Sequence, residues 1–380
     1  MKFCKFAVIV LLMLFLTGVV FVANFAASGE PRLWRDFFKK IPATIKINRH
    51  LIVNPQKGIY STVWTARAKR FNDLIRIADE TEINTIVIDV KDSDTYLNDY
   101  IKNLVGELHK KNIYAIARIV VFQDNSQIKN HPDWYFKRED GSLWQDRRGW
   151  YWLNPAERGT WDYNVEIAKK TIDYGFDELN FDYIRFPAFS KNEDVDFSSD
   201  GKIILKNHII NEFANYLTSE LKKYDPEIIL SVDLFAYSML KTDDLGIGQK
   251  FTELYDYFDY VSPMIYPSHY ISGNFGFDNT AEHPYEIVLG TIEKGKTQLW
   301  EKSAAEIGTT TPAIVNPIFE KRLKKLRPWL QDFNIGAIYD GEMIRKEKQA
   351  VYDSGLTAGW LLWNPRNVYT EEALEKNDQK

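Results

Sequence analysis

Short apolar runs alternate with amphipathic segments along most of this chain. A short apolar run bounded by turn residues indicates a buried strand, whereas apolar residues three and four positions apart indicate a helix that packs on a core. The predicted strands span residues 57–64, 84–90, 113–122, 175–187, 228–235, 259–266, 325–333 and 357–364. The predicted helices span residues 66–80, 97–111, 161–174, 203–224, 284–307 and 342–354, and residues 309–317 are predicted to be irregular.

Strands that alternate with helices are typical of a parallel sheet with crossover helices. Eight such strands predict an α/β fold of the (β/α)8 type, the TIM barrel. Barrels of about 250 residues plus insertions form a single domain, and 45% hydrophobic residues are ample for its core. We expect the barrel to span residues 57–370 and residues 371–380 to form a frayed, charged tail.

Residues 1–29 are typical of a targeting segment, because Lys2 and Lys5 precede a nearly unbroken apolar run. Residues 23–27 lack small residues two positions apart, and the run is close to the lower limit for spanning a bilayer. A cleaved signal and an uncleaved anchor are therefore both open. With residues 30–56 as a tether, the barrel is expected to be secreted or anchored to the outer side of the bacterial cytoplasmic membrane. This segment is its only expected contact with a membrane.

The composition excludes several classes of function. A net charge of -5 provides no basic surface for nucleic acid. The single cysteine, Cys4, excludes an intrachain disulfide and a cysteine-based metal site, and the six histidines lack the spacing of metal ligands. We therefore expect no metal and no cofactor.

The fourth predicted strand reads Gly-Phe-Asp-Glu-Leu-Asn-Phe-Asp-Tyr-Ile-Arg-Phe-Pro and alternates apolar with polar residues. Leu179 and Phe181 are expected to face the helices, and Asn180 and Asp182 the barrel interior. An ionisable group is costly in that interior unless it lies at the open end. Asp182 is therefore a candidate for chemistry, and a structural ion pair with Arg185 is the alternative.

Polar and aromatic residues gather at the predicted carboxyl ends of the strands, the face on which barrel enzymes build their active sites. The candidates are Asp89, Lys91, Arg118, Asp182, Arg185, Asp233, Tyr266, His269, Gln331, Asp332, Trp363 and Asn364. Several carboxylates, with no nucleophilic serine or cysteine motif and no phosphate-binding glycine loop, favour glycoside hydrolysis, which needs two carboxylates and aromatic platforms. The expected partner is thus a polysaccharide or oligosaccharide substrate.

The connection at residues 123–155 is far longer than an ordinary loop after a strand. Its tryptophan and tyrosine residues are Trp134, Tyr135, Trp144, Trp150, Tyr151 and Trp152. Loops of this length inside a domain are usually functional. We expect the loop to form one wall of a substrate groove, with Trp150 or Trp152 stacked on a sugar ring.

Five motifs give the sequence a resemblance to a known family. They are the fourth-strand motif at 175–187, Trp-Leu-Asn-Pro at 152–155, Ser-Pro-Met-Ile-Tyr-Pro-Ser-His-Tyr at 262–270, Arg-Pro-Trp-Leu-Gln-Asp-Phe at 327–333 and Gly-Trp-Leu-Leu-Trp-Asn-Pro at 359–365. In their order along the chain they resemble the motifs of the bacterial putative glycosyl hydrolase domain family. The resemblance implies a TIM barrel similar to the α-amylase-type hydrolases, in which a strand-four aspartate is the nucleophile and a strand-five carboxylate is the acid.

Carried over by position, these roles fall on Asp182 and Asp233, although the amylase-type enzymes have glutamate at the second position. Because the two strands should be neighbours, about 4.8 Å apart, the carboxyl groups suit a retaining mechanism. Arg118 or Arg185 should keep Asp182 ionised. The remaining candidates are expected to bind substrate: Asp89, Arg118, Trp150, Trp152, Arg185, Tyr266, His269, Gln331, Asp332, Trp363 and Asn364.

Two alternatives remain at this point. The first is a polysaccharide-binding barrel without catalysis, which would hold its ligand with Trp144, Trp150, Trp152 and Trp363. The second is a chitinase-like hydrolase that uses substrate assistance. The fourth strand lacks the stacked Asp-x-Asp-x-Glu pattern that this mechanism requires.

Overall fold

Eight parallel strands close into a barrel in which each strand pairs with its neighbours in chain order and the last pairs with the first. Strands β1 to β8 span Gln56–Ser61, Thr85–Lys91, Tyr114–Val120, Glu178–Asp182, Ile229–Phe235, Tyr260–Met264, Trp329–Gln331 and Gly359–Trp363. The prediction of a (β/α)8 barrel is confirmed.

The computed structural model describes residues 54–92, 95–189 and 205–377, all within one unit, residues 50–380. The predicted targeting segment and nearly all of the predicted tether lie outside these ranges. Across the residues that are described, no helix combines the length and apolar character needed to cross a membrane.

Helices cover the outside of the barrel. Helices α1 to α9 span Val63–Ala66, Phe71–Glu80, Asp99–Lys110, Arg158–Asp173, Lys206–Tyr224, Phe251–Leu254, Pro284–Ile307, Pro312–Leu323 and Gly341–Asp353. In place of the single helix predicted at 66–80, the structure has α1 and α2. Thr62 caps α1 by accepting a hydrogen bond from the Thr65 backbone at 3.1 Å.

Proline explains two differences between prediction and structure. The segment predicted to be irregular at 309–317 begins helix α8, whose first position is Pro312, where the missing N–H costs nothing. Pro317 lies inside that helix, a position that pattern analysis treats as a break. The seventh strand is shorter than predicted because Pro328, which cannot donate to a ladder, separates β7 from an isolated pairing of Leu326 with Val261.

Strand β4 has the predicted orientation. Leu179 and Phe181 pack into the hydrophobic layer between sheet and helices, and Asn180 and Asp182 are buried within the barrel. A polar floor lies below them, in which Glu178 accepts two hydrogen bonds from Arg327, at 3.1 and 2.5 Å. This fully buried ion pair fills the barrel interior beneath the candidate site.

Residues 371–377 pack against the barrel, whereas a frayed tail was predicted for 371–380. Ala373 and Leu374 are buried, Glu371 pairs with Arg76 at 2.5 Å, and Lys376 forms a bridge with Thr81. The mostly charged sequence of this segment did not indicate that Ala373 and Leu374 would be buried.

Candidate active site

One guanidinium joins the carboxylates of the two strands that flank its own strand, β3. Arg118 on β3 donates from Nη1 to Asp89 on β2 at 2.7 Å and from Nη2 to Asp182 on β4 at 2.5 Å. Asp89 lies directly opposite Arg118 in the sheet, and Asp182 lies two residues beyond Asn180, the β4 partner of Arg118. All three charged side chains are buried. Burial alone would lower the pKa of Arg118, but Asp89 and Asp182 outweigh it and raise that pKa.

Asp233 on β5 is the second candidate carboxylate and approaches the same guanidinium. Its Oδ2 lies 3.9 Å from Arg118 Nε, an atom that makes no hydrogen bond among the described residues. Its Oδ1 accepts hydrogen bonds from Asn180 Nδ2 and Trp329 Nε1, both at 2.8 Å. Burial, and then the charge of Asp182, raise the pKa of Asp233 to about 8. The direction of this shift favours the protonated carboxyl.

Two aromatic residues complete the centre of the site. Tyr60 on β1 donates its hydroxyl to Asp89 and stacks on Trp363, with ring centroids 3.9 Å apart. Trp363 is half-buried, and the Arg118 guanidinium lies 5.3 Å from its ring centroid. Sequence analysis named Trp363 but missed Tyr60 and Trp329. Their inward position in the period-two alternation, together with the polar atom on each ring, is the signal that could have found them.

Arg185 does not pair with Asp182, so the alternative of a structural ion pair between these two residues is wrong. Its Nη1 donates to the Phe186 carbonyl at 3.0 Å, and its guanidinium lies 4.6 Å from the Trp152 ring centroid and 5.0 Å from that of Tyr183. Burial lowers the pKa of Arg185. Among the described residues, Asp182 forms its ion pair with Arg118.

The tryptophans of the long loop at 123–155 differ in solvent exposure. Trp152 is 2% exposed, donates its indole N–H to Asp146 at 3.0 Å and carries Arg185 on its ring. The expectation that Trp152 stacks on a sugar is therefore wrong, and Trp144, equally buried, has no free face either. Trp150 is half-buried and keeps an accessible surface.

The base of this loop is fixed by a fully buried ion pair. Lys91 at the end of β2 contacts Asp124 at 2.7 Å, and neither side chain is exposed. Lys91 also donates to the Val120 carbonyl at 2.5 Å, and Asp124 accepts from the Tyr163 hydroxyl at 3.1 Å. The lysine thus anchors the loop to β2 and β3.

Tyr266 and His269 lie together beyond β6, with ring centroids 5.4 Å apart. Tyr266 is buried, and burial together with the charges of Asp233 and Asp182 raises the pKa of its hydroxyl well above the usual value. His269 is exposed, and partial desolvation followed by the charge of Arg148 lowers its pKa. The first residue faces the carboxylates and the second lies nearer to solvent.

Three predicted substrate contacts instead tie loops together. The Gln331 amide oxygen accepts from the Ser268 hydroxyl at 2.8 Å. Asp332 accepts from the Thr370 backbone at 3.0 Å and from its hydroxyl at 2.8 Å. Burial raises the pKa of Asp332 to about 6, and Asn364 donates to the Asp332 carbonyl. Since Trp329 and Trp363 face inward, alternation turns the residues at 332 and 364 away from the barrel axis.

A closed (β/α)8 barrel with carboxylates gathered at the carboxyl ends of its strands has the architecture of a barrel enzyme. The family model described as "Putative glycosyl hydrolase domain" matches residues 58–369. The chain belongs to this family, which supports a glycoside hydrolase in general terms. No curated protein matches the chain.

Solved structures resemble the chain to a modest degree. A hypothetical protein from Ruminiclostridium thermocellum is 32% identical, with 46% of this chain and 96% of that chain covered and a TM-score of 0.40. An α-galactosidase from Thermus thermophilus in complex with stachyose is 12% identical, with 85% and 64% covered and a TM-score of 0.47. The Bacillus megaterium spore cortex-lytic enzyme is 12% identical, with 84% and 72% covered and a TM-score of 0.47.

Proposed function

We propose that this protein is a retaining glycoside hydrolase that acts on a cell-wall or extracellular polysaccharide. One observation carries the proposal: two carboxyl groups on neighbouring strands, Asp182 and Asp233, approach the same Arg118 guanidinium but have opposite environments. Two carboxyl groups, one that attacks the sugar and one that donates a proton, are the equipment of glycoside hydrolysis.

Asp182 serves as the nucleophile in this proposal. Its Oδ2 is paired with Arg118 at 2.5 Å and its Oδ1 accepts from the Tyr183 backbone at 2.6 Å. The two contacts fix the orientation of the carboxylate. An oxygen of this carboxylate attacks the anomeric carbon, the bond to the leaving oxygen breaks, and a covalent glycosyl ester forms.

Asp233 serves as the acid and then as the base. With a pKa raised to about 8 by burial and by Asp182, its carboxyl holds the proton that the leaving oxygen needs at neutral pH. In the second step the carboxylate takes a proton from water, which cleaves the ester and restores both groups. Asn180 and Trp329 hold the group in place through Oδ1.

Trp363 and Tyr60 are the proposed platform for the sugar next to the cleaved bond. The half-buried Trp363 ring is stacked on Tyr60, and Tyr60 is fixed through its hydrogen bond to Asp89. A rigid aromatic face beside the carboxylates suits the apolar face of a pyranose ring.

A polysaccharide panel with reducing-end detection tests the proposal. The parent protein should release reducing ends from at least one wall or extracellular polymer, and Asp182→Asn should not. Asp278→Asn is the matched control, since Asp278 is exposed on a loop of the same face. Binding of a polymer without release of reducing ends by the parent would favour the non-catalytic barrel instead.

We further propose that the barrel lies outside the cytoplasmic membrane. The basic residues and apolar run of the first 29 residues support this location. Protease added to intact spheroplasts should digest the barrel, while a cytoplasmic control protein survives. Full protection of the barrel would contradict the location.

A further inference from the structure

Arg185 lies three residues beyond the proposed nucleophile and is supported by aromatic rings. Its guanidinium is 4.6 Å from the ring centroid of Trp152, 5.0 Å from that of Tyr183 and 4.8 Å from that of Phe235. Such cation–π contacts fix the plane of the guanidinium and leave its N–H edge directed outward. The group is thus held rigidly at the end of β4.

The N–H groups of Arg185 are mostly uncommitted. The hydrogen bond from Nη1 to the Phe186 carbonyl is its one side-chain hydrogen bond among the described residues, and its remaining nitrogens are not among the buried atoms that lack a partner. The Arg185 side chain as a whole is half-buried. Two carboxylates lie near enough to influence it electrostatically, Asp182 and Asp146, but neither forms an ion pair with it.

Both nearby carboxylates are already engaged. Asp182 is paired with Arg118. Asp146 accepts from the Trp152 indole at 3.0 Å and from the backbone N–H groups of Arg148 and Trp150 at 2.9 and 3.0 Å. Arg185 is consequently a half-buried cation whose carboxylate partner is not supplied by the described part of the chain.

A second uncommitted cation lies on the neighbouring turn. Asp146 and Gly149 close this turn through a backbone hydrogen bond of 2.9 Å, and the exposed Arg148 lies within it. The turn is fixed beside Trp152, the residue that supports Arg185. The Arg148 charge reaches the Tyr183 hydroxyl and the His269 ring, and within the described ranges its side chain makes no hydrogen bond or ion pair.

We infer that Arg185 and Arg148 bind the carboxylate of an acidic sugar, so that the substrate is a carboxylated polysaccharide. The inference rests on the proposed function and narrows its substrate class. A guanidinium presents paired N–H groups that match a planar carboxylate. Since the whole chain carries a net charge of -5, attraction of a polyanion has to come from such local cations.

The test compares each acidic polymer with its neutral counterpart. Alginate, polygalacturonate and hyaluronan are offered beside the carboxyl-reduced form of each, and binding is measured with the full-length Asp182→Asn variant so that turnover does not intervene. At least one acidic polymer should bind about tenfold more tightly than its reduced form, which corresponds to about 1.4 kcal/mol. That preference should weaken as salt rises.

Arginine variants test which residues cause the preference for acidic polymers. Arg185→Gln and Arg148→Gln, each made in the Asp182→Asn background, should remove most of it. Arg138→Gln, an exposed arginine on the other turn of the same loop, should leave it intact. Because Arg148 is exposed, its replacement tests the charge without disturbing packing. Dextran sulfate, a polyanion without carboxylates, should not reproduce the effect.

Three outcomes would overturn the inference: equal binding of every acidic and reduced pair, equal binding of dextran sulfate, or a preference unchanged in both arginine variants. The proposed function fails separately. If acidic polymers are preferred but the parent never releases reducing ends, the carboxylate-binding subsite is supported and the proposed hydrolase activity is contradicted. If only neutral polymers are cleaved, hydrolysis stands and the subsite does not.

Discussion

Trp329 on β7 donates its indole N–H to Asp233 on β5 at 2.8 Å, across the interior of the barrel. The two strands are not neighbours, so this bond fixes the carboxyl from the opposite side to Asn180, which reaches the same oxygen. The two bonds fix the orientation of the Asp233 carboxyl. Burial and the charge of Asp182, and not these two bonds, raise its pKa.

The first prediction concerns stereochemistry. If Asp182 forms a glycosyl ester, Asp182→Asn should lower turnover by about 10³-fold or more, since a nucleophile has no substitute. The product released by the parent should keep its anomeric configuration. Proton NMR of the first-formed anomer measures this directly. An inverted product, or full activity in Asp182→Asn, would reject the assignment.

The second prediction concerns the pH dependence of activity. An acid with a pKa of about 8 is active in its protonated form, so kcat/KM should fall as pH rises through about 8. Asp233→Asn should remove this descending limb and should spare substrates with good leaving groups, such as aryl glycosides, which need no proton. A descending limb that persists in Asp233→Asn would show that another group is the acid.

The third prediction concerns stability and depends on the Asp233 carboxyl. Its pKa is raised in the folded protein from about 3.9 in the unfolded chain, so the native state binds more protons between about pH 4 and pH 8. The free energy of unfolding should therefore fall as pH rises through this window, by at most about 1.4 kcal/mol per unit. Urea titrations at several pH values should show a shallower dependence in Asp233→Asn than in the parent. Equal dependence in both proteins would mean that the carboxyl is ionised after folding.

The fourth prediction separates the two tryptophans of the long loop. Trp152→Ala removes a buried ring and should destabilise the fold by about 3 to 5 kcal/mol. Trp150→Ala should leave the melting temperature nearly unchanged and should weaken glycan binding by about 1 kcal/mol, because this ring keeps an exposed surface. Thermal melts and binding isotherms of both variants provide the measurements. If Trp150→Ala binds every tested glycan as well as the parent does, Trp150 does not contribute to glycan binding.

The amino-acid sequence by itself determined the architecture. Alternating strand and helix patterns specify their own periods locally, and eight of them can close into one barrel with the inward faces set by parity. The inward positions of Asn180 and Asp182 followed from that parity alone. Proline residues led to two errors in the predicted elements. Pro312 and Pro317 lie in a helix where an irregular segment was predicted, and β7 is shorter than predicted because of Pro328.

Only the tertiary structure decided the partners of the charges. Arg118 and Arg185 were equal candidates to pair with Asp182, and the register of β3 against β4 selected the first. The tertiary structure also decided the partner of Asp332. This residue lies at the carboxyl end of its strand, but its side chain points away from the barrel axis and accepts a hydrogen bond from Thr370. Hydrogen bonds and ion pairs depend on distances of a few tenths of an ångström between segments far apart in the chain. The periodic pattern of the sequence does not determine these distances, which are fixed only when the barrel closes.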